Sequence, residues 1–212
     1  FRQFTQCDID ILGDSSCLAE IELISATSTL LGKLGFKGFT IRLNDRRLLK
    51  AMAASSGIPE DSYDKVFIIL DKLDKIGLAG VEKELRESGF GDSAVRRYMC
   101  YCFARGVENF TMAKNKLDVT VHFTEEKNVA AFAFMKQIMD CVAATKSCDF
   151  NLVYDPTLVR GMSYYTGPIF EITMAEFGSS VGGGGRYDNM VGSFTNLNVP
   201  ACGFSIGFER II

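Results

Sequence analysis

The sequence predicts an α+β fold built on a mixed or antiparallel sheet. Three observations carry that expectation: strand-like patterns lie toward both ends of the chain, helical spacing dominates the middle, and the order is not the regular strand–helix alternation of a doubly wound sheet.

The first strand falls within Phe4–Leu12. Apolar and polar residues alternate from Cys7 to Ile11, as on a half-buried strand, so Asp8 and Asp10 share one face. Gly13-Asp14-Ser15-Ser16 breaks it, and Asp14 or a serine can cap the next helix. Residues 17–34 carry apolar side chains at helical spacing, with Gly35 as a stop. Phe39–Leu43 reads as a short strand, and Asp45 opens a helix that ends near Gly57-Ile58-Pro59. From Ser62 to about Arg105 helical patterns prevail, and Lys72, Asp74, Lys75, Glu82, Lys83, Glu84, Arg86 and Glu87 form solvated faces. A further helix spans Asn128–Thr145. The last third returns to strands at Phe150–Tyr154, Ile169–Met174 and Cys202–Ile206, with a short helix over Asp188–Phe194. After the last strand, Gly207-Phe208-Glu209-Arg210 leads into a helix that the end of these 212 residues truncates. Residues 60–145 thus read as a mostly helical insertion between core segments 1–59 and 146–212.

Composition narrows the function. A chain of 212 residues can bury a sizeable core in one large domain or two modest ones. The net charge of −3 and pI near 5.3 lack the basic footprint of a dedicated nucleic-acid binder, so a nucleic-acid partner would be gripped by a local patch or elsewhere. No apolar run reaches membrane-spanning length and no signal peptide is visible. The first residue is Phe1 rather than Met, which suggests a fragment. The seven cysteines (Cys7, Cys17, Cys100, Cys102, Cys141, Cys148 and Cys202) are odd in number and contain no C-x-x-C pair, and His122 is the sole histidine. This argues against a zinc site and suits a reducing compartment. Nothing near His122 in sequence pairs it with a nucleophile, and Asn109-Phe110-Thr111 matches a glycosylation acceptor by chance.

Three segments carry chemistry. Leu158-Val159-Arg160-Gly161-Met162-Ser163-Tyr164-Tyr165-Thr166-Gly167 sets an arginine, whose fork of donors suits phosphate or carboxylate, beside two tyrosines that could line a polar pocket from a turn. A hairpin with surface tyrosines is the equal alternative. Gly182-Gly183-Gly184-Gly185-Arg186-Tyr187-Asp188 lacks the Lys-Ser/Thr of a P-loop and the spacing of a dinucleotide fingerprint, and reads as a flexible loop or a binding loop. Gly203-Phe204-Ser205-Ile206-Gly207-Phe208-Glu209-Arg210 ends a strand in Glu-Arg, where an arginine can stack on a purine, meet a phosphate, or form a plain salt bridge.

Together these segments resemble the histidyl-tRNA synthetases, whose Arg-Gly-x-x-Tyr-Tyr-Thr-Gly, Gly-Gly-Gly-Arg-Tyr-Asp and Gly-x-x-x-Gly-x-Glu-Arg segments all occur here in order. The start, Phe1 to Asp10, resembles the second half of the class II second motif, in a Gln6-Cys7-Asp8-x-Asp10 form like the eukaryotic branch. The resemblance covers essentially the whole chain and implies a class II antiparallel sheet flanked by helices, with 60–145 in the place of that family's insertion domain.

It also implies roles. Gln6 and Asp10, with Tyr164, Tyr165 and Arg160, would hold L-histidine; Asp10 would accept from the imidazole and Gln6 would help hold the α-amino group. Arg160 would be the catalytic residue at the α-phosphate of ATP, in place of a metal ion, and Phe4 and Arg210 would sandwich the adenine. Mg²⁺ would accompany the β- and γ-phosphates, and no protein-held metal is expected. Histidine tRNA would be the second substrate, in a cytoplasmic homodimer, with mitochondrial or dual location open. The family usually has Asp where this chain has Ser163. Its first motif, its phosphate-binding arginine and its anticodon-binding domain would lie outside these 212 residues. The alternative is a non-catalytic, regulatory or tRNA-sensing relative; a plain interaction domain would need the three segments to co-occur by accident.

Overall fold

The computed structural model describes residues 3–102, 126–160 and 163–211, apart from the side chain of Ser179. Phe1, Asn109 and His122 lie outside the described residues, as do Gly161 and Met162 of the arginine segment.

Six strands form one sheet: β1 (Gln6–Leu12), β2 (Phe39–Asp45), β3 (Phe150–Tyr154), β4 (Pro168–Met174), β5 (Ser179–Arg186) and β6 (Ala201–Gly207), in the order β1-β6-β5-β4-β2-β3. β2 and β3 are parallel, and every other pair is antiparallel. The parallel pair follows from its connection, because the long helical segment between β2 and β3 returns the chain in the same direction. The expected mixed sheet is the sheet found.

The helices are α1 (Leu18–Lys33), α2 (Arg46–Ser55), α3 (Tyr63–Leu70), α4 (Leu73–Glu87), α5 (Asp92–Cys102), α6 (Glu126–Ala144) and α7 (Met190–Phe194). In α1 the buried residues Ala19, Glu20, Leu23, Ile24, Thr27, Ser28 and Leu31 repeat every three or four positions and so form one stripe. That stripe packs on β6 and on α6, which also touches α2. Asp45 caps α2 as expected: its carboxylate accepts from the Arg47 amide at 2.8 Å. Asp14 does not cap α1. It accepts from the Ser16 amide at 2.7 Å in a turn before the helix; Cys17 holds the N-cap position without a side-chain bond of its own, and the Ser16 hydroxyl accepts from the Leu18 amide, the first of α1, at 3.3 Å. Within α4, Gly77 has φ 69° and breaks the helix into two pieces.

One expectation for the last third of the chain is overturned. The glycine run is neither a flexible nor a binding loop. It is strand β5, hydrogen-bonded between β4 and β6 in the middle of the sheet. Backbone pairing on both sides supplies the order that its side chains cannot. After β6 the chain enters a 3₁₀ turn over Phe208–Arg210, at the place where the sequence puts the opening of a helix.

The sheet has unlike faces. Residues opposed across strands share a face, so Phe204, Gly184 and Phe170 form one row, with Ile206, Gly182, Ile172 and Ile41 beside it. Phe170, Ile172, Ile41, Phe204 and Ile206 are buried in the core with residues of α1, α2 and α6. The Phe170 and Phe204 rings stack at 4.9 Å. The opposite face is polar. One row across it reads Asp8, Ser205, Gly183, Glu171, Arg42, and the next carries Asp10, Gly203, Gly185, Ile169 and Asn44. This polar face holds the candidate site.

Candidate active site

Glycines make the floor of the site, and bulky groups lie directly on it. A Cβ on Gly183 would overlap the Arg160 guanidinium, and one on Gly203 would overlap the Asp10 carboxylate. A Cβ on Gly185 would come within 3.0 Å of the Tyr165 ring and 2.6 Å of the Pro168 carbonyl oxygen. Gly184, on the other face, is closed by the Gly203 carbonyl and the Phe170 ring. The run is therefore glycine because of close approach from both faces, not because of turn geometry.

Two clefts adjoin over this floor. The larger, about 570 Å³, is lined by Phe4, Gln6, Arg160, Gly183, Ser205 and Arg210 among others. The smaller, about 240 Å³, is lined by Asp8, Asp10, Tyr164, Tyr165, Tyr187 and Ser205 among others. Gly183 and Ser205 line both. The structure thus gathers all seven residues singled out from the sequence onto one face. It sorts them into a set with Phe4, Gln6, Arg160 and Arg210 and a set with Asp10, Tyr164 and Tyr165. Gln6, expected beside Asp10, lines the larger cleft, where its amide donates to the Ser205 hydroxyl.

In the smaller cleft the Tyr187 hydroxyl donates to Asp10 Oδ1. The Tyr164 ring stands edge-on to Tyr187 at 6.0 Å and leans on Tyr165 at 4.6 Å. Burial pushes the Tyr187 phenol above its ordinary pKa, and the Asp10 charge adds to this. Burial raises Tyr165 as well, with Tyr164 adding and Arg160 opposing. Both phenols are therefore neutral donors near pH 7, matched to a polar ligand. In the larger cleft, Arg210 donates to the Ser180 carbonyl, and Glu209 accepts from the Thr5 amide at 2.6 Å, which ties the turn after β6 to the start of β1. Phe4 is 68% exposed and presents an open ring.

Arg160 is held from two directions. Its backbone has φ 55°, an uncommon left-handed conformation for a residue other than glycine. The turn before it is pinned: Asp155 Oδ1 accepts from the Thr157 amide at 2.8 Å, and Asn44 donates to the Leu158 carbonyl at 2.9 Å. At its tip, Nη1 donates to Glu171 Oε2 at 2.8 Å. Ser163 is exposed and lines a separate cavity of about 230 Å³ with Arg46, Asp64 and Arg160.

Residues 1–211 match the family model described as histidyl-tRNA synthetase. The chain belongs to the histidyl-tRNA synthetase family. It is 44% identical over 212 residues to the histidine–tRNA ligase of Leifsonia xyli subsp. xyli (strain CTCB07), covering 100% of this chain and 49% of that protein. The fold superposes with a TM-score of 0.87 on the histidyl-tRNA synthetase of Nostoc sp. PCC 7120, at 28% identity over 100% of this chain and 50% of that one. It also matches a structure named ATP phosphoribosyltransferase regulatory subunit/histidyl-tRNA synthetase from Bacillus halodurans C, with a TM-score of 0.82 and 23% identity over 98% of this chain and 52% of that one, a likeness of fold alone. The chain spans about half the length of the curated histidyl-tRNA synthetase relatives it matches.

Sequence reasoning singled out none of three residues that lie in or behind these clefts. Tyr187 stood in the glycine segment without a role, yet it bonds Asp10. Arg42 and Glu171 face each other across β2 and β4. Their signal was legible in principle: each is a lone charge inside an apolar strand, Ile41-Arg42-Leu43 and Phe170-Glu171-Ile172, and a charge there needs a partner. Arg186 is not a ligand-facing group. It lies on the helix side and grips Glu20 of α1 at 2.6 and 2.8 Å.

Proposed function

We propose that the parent protein is a histidine–tRNA ligase, which activates L-histidine with ATP and transfers it to its tRNA. One observation carries the reading: Arg160 lies over Gly183, where an acid-and-tyrosine cleft meets a cleft bearing an open aromatic ring and a second arginine. Histidine occupies the smaller cleft. Asp10, oriented by Tyr187, accepts from the imidazole, and Tyr164 and Tyr165 complete the wall. A side chain without ring nitrogens leaves these groups unpaired, and that penalty supplies selectivity. ATP occupies the larger cleft with its adenine between Phe4 and Arg210. Gln6, bonded to Ser205 at the junction, reaches the α-amino group.

A histidine carboxylate oxygen attacks the α-phosphorus, and the bond to the bridging oxygen breaks as pyrophosphate leaves. Arg160 stabilises the charge that builds on the α-phosphate oxygens, and its fixed guanidinium needs little reorganisation. A hydroxyl at the tRNA 3′ end then attacks the acyl carbonyl, and AMP departs. Mg²⁺ would accompany ATP at its β- and γ-phosphates, where it would offset their charge. No helix among the described residues is long and apolar enough to cross a membrane. The family resemblance points to a cytoplasmic homodimer.

The test is ATP–pyrophosphate exchange by the full-length parent, with histidine and then each other amino acid. Exchange is expected with histidine only, and Arg160→Ala should lower it on the order of a hundredfold or more. A folded protein that binds histidine or tRNA yet exchanges with no amino acid would overturn the reading in favour of a regulatory role.

A further inference from the structure

The polar face carries a line of charges that the reaction itself does not call for. Arg42 is 8% exposed, in the middle of the β2 strand. Its Nε and Nη2 donate to Asp155 Oδ2 at 2.9 and 2.8 Å, and its Nη1 lies 3.0 Å from Glu171 Oε1 and 3.2 Å from Asp74 Oδ2. The other oxygen of Glu171 receives Arg160 at 2.8 Å. One carboxylate thus bridges two arginines. The inner one is locked by three carboxylates drawn from the end of β3, from β4 and from α4, while the outer one stands over Gly183 in the cleft.

We infer that Glu171, anchored by Arg42, is the positioning residue that fixes the Arg160 guanidinium over Gly183 for catalysis. The inference rests on the role proposed for Arg160 and extends it. Three observations support it. The row register places Arg42, Glu171 and Gly183 side by side on one face, so a guanidinium held by Glu171 falls on the one neighbour with no side chain to obstruct it. Glu171 cannot turn away freely, because Arg42 holds its second oxygen and Asp155 holds Arg42. Burial works against the Arg42 charge, yet Asp155, Glu171 and Asp74 outweigh it and keep that charge fixed. Neither Glu171 nor Arg42 lines either cleft, so both act through Arg160 rather than on the substrates. A misplaced guanidinium is costly, since a shift of about 1 Å in a catalytic group is worth roughly a hundredfold in rate.

The experiment is a double-mutant cycle on the full-length parent, read as histidine-dependent ATP–pyrophosphate exchange. It uses Arg160→Ala, Glu171→Ala and the pair, with thermal melts alongside. Glu171→Ala should lower kcat on the order of a hundredfold, with a much smaller change in the KM for histidine, since Asp10, Tyr164 and Tyr165 still line its cleft. The pair should exchange no more slowly than the worse single variant, because residues acting as a unit do not add. Glu171→Gln keeps the volume and one acceptor, so it guards against misfolding. It should lose kcat by a smaller factor, again with no further loss in combination with Arg160→Ala. The inference is overturned if both Glu171 variants keep near-normal kcat, or if the pair loses the product of the two single effects. If Arg160→Ala itself exchanges normally, the role given to Arg160 fails instead, and the two failures are told apart.

Discussion

At the residue scale the clearest lesson is in the glycines. Gly183 and Gly184 are neighbours in one strand, yet a side chain would meet different obstacles at each. At Gly183 the obstacle is the tip of Arg160, a long side chain that can swing aside. At Gly184 it is the Gly203 carbonyl, part of the paired backbone of β6, together with the Phe170 ring. Gly183→Ala should therefore keep the melting temperature within a few degrees while exchange falls by roughly a hundredfold, because Arg160 is displaced. Gly184→Ala should cost about 1–3 kcal/mol of stability or more, as overpacking does. Parallel melts and exchange assays on the two variants check this; equal losses of stability would contradict it. From sequence the run was legible as glycine but not as a strand, since nothing local says that an arginine will lie on one residue and a ring on the next.

At the element scale, the buried pair Arg186–Glu20 holds the end of β5 to the start of α1. Arg186 Nε and Nη2 meet the two Glu20 oxygens, while Nη1 donates to the Asp14 carbonyl at 2.9 Å and Nη2 to that of Ser16 at 2.8 Å. One guanidinium therefore closes the loop that joins β1 to α1. Burial opposes its charge, but Glu20 outweighs this and holds the pKa above its ordinary value. Glu20 is fully buried, so removing Arg186 alone strands a carboxylate in the core. Arg186→Met should destabilise by about 3–5 kcal/mol, whereas Arg186→Met with Glu20→Leu should recover much of that loss. Denaturant melts of the two variants test it; a double variant as unstable as the single one would show that the packing, and not the stranded charge, is what is lost. The helices themselves were readable: the stripe of α1, the Asp45 cap of α2 and the extent of α6 lie within a few residues of the sequence expectation. The partner of Arg186 was not, because Glu20 lies 166 positions away.

At the scale of the whole molecule, the sheet divides the labour. One face is closed by helices into a continuous apolar core, and the other gathers the charges, tyrosines and glycines of the site. Burial raises the pKa of Tyr98, Tyr154, Tyr165, Tyr187 and Cys202, so the fold favours their protonated forms. In the unfolded chain the tyrosines ionise near pH 10. Above about that pH the unfolded state binds fewer protons than the native one, so stability is intact below it and falls as pH rises. Phenolate absorbance of these tyrosines should then appear together with unfolding; their full ionisation in a still-folded protein would contradict this. What the sequence determined by itself was local: the periods that make strands and helices, the Asp45 cap, and three segments whose order and residues are those of histidyl-tRNA synthetases. What only the tertiary structure decided was adjacency. The placing of the glycine run between β4 and β6, the Tyr187–Asp10 bond, and the chain of contacts from Arg42 through Glu171 to Arg160 all depend on which strands pair and in what register. Residues brought together by pairing are far apart along the chain, and periodicity carries no record of them.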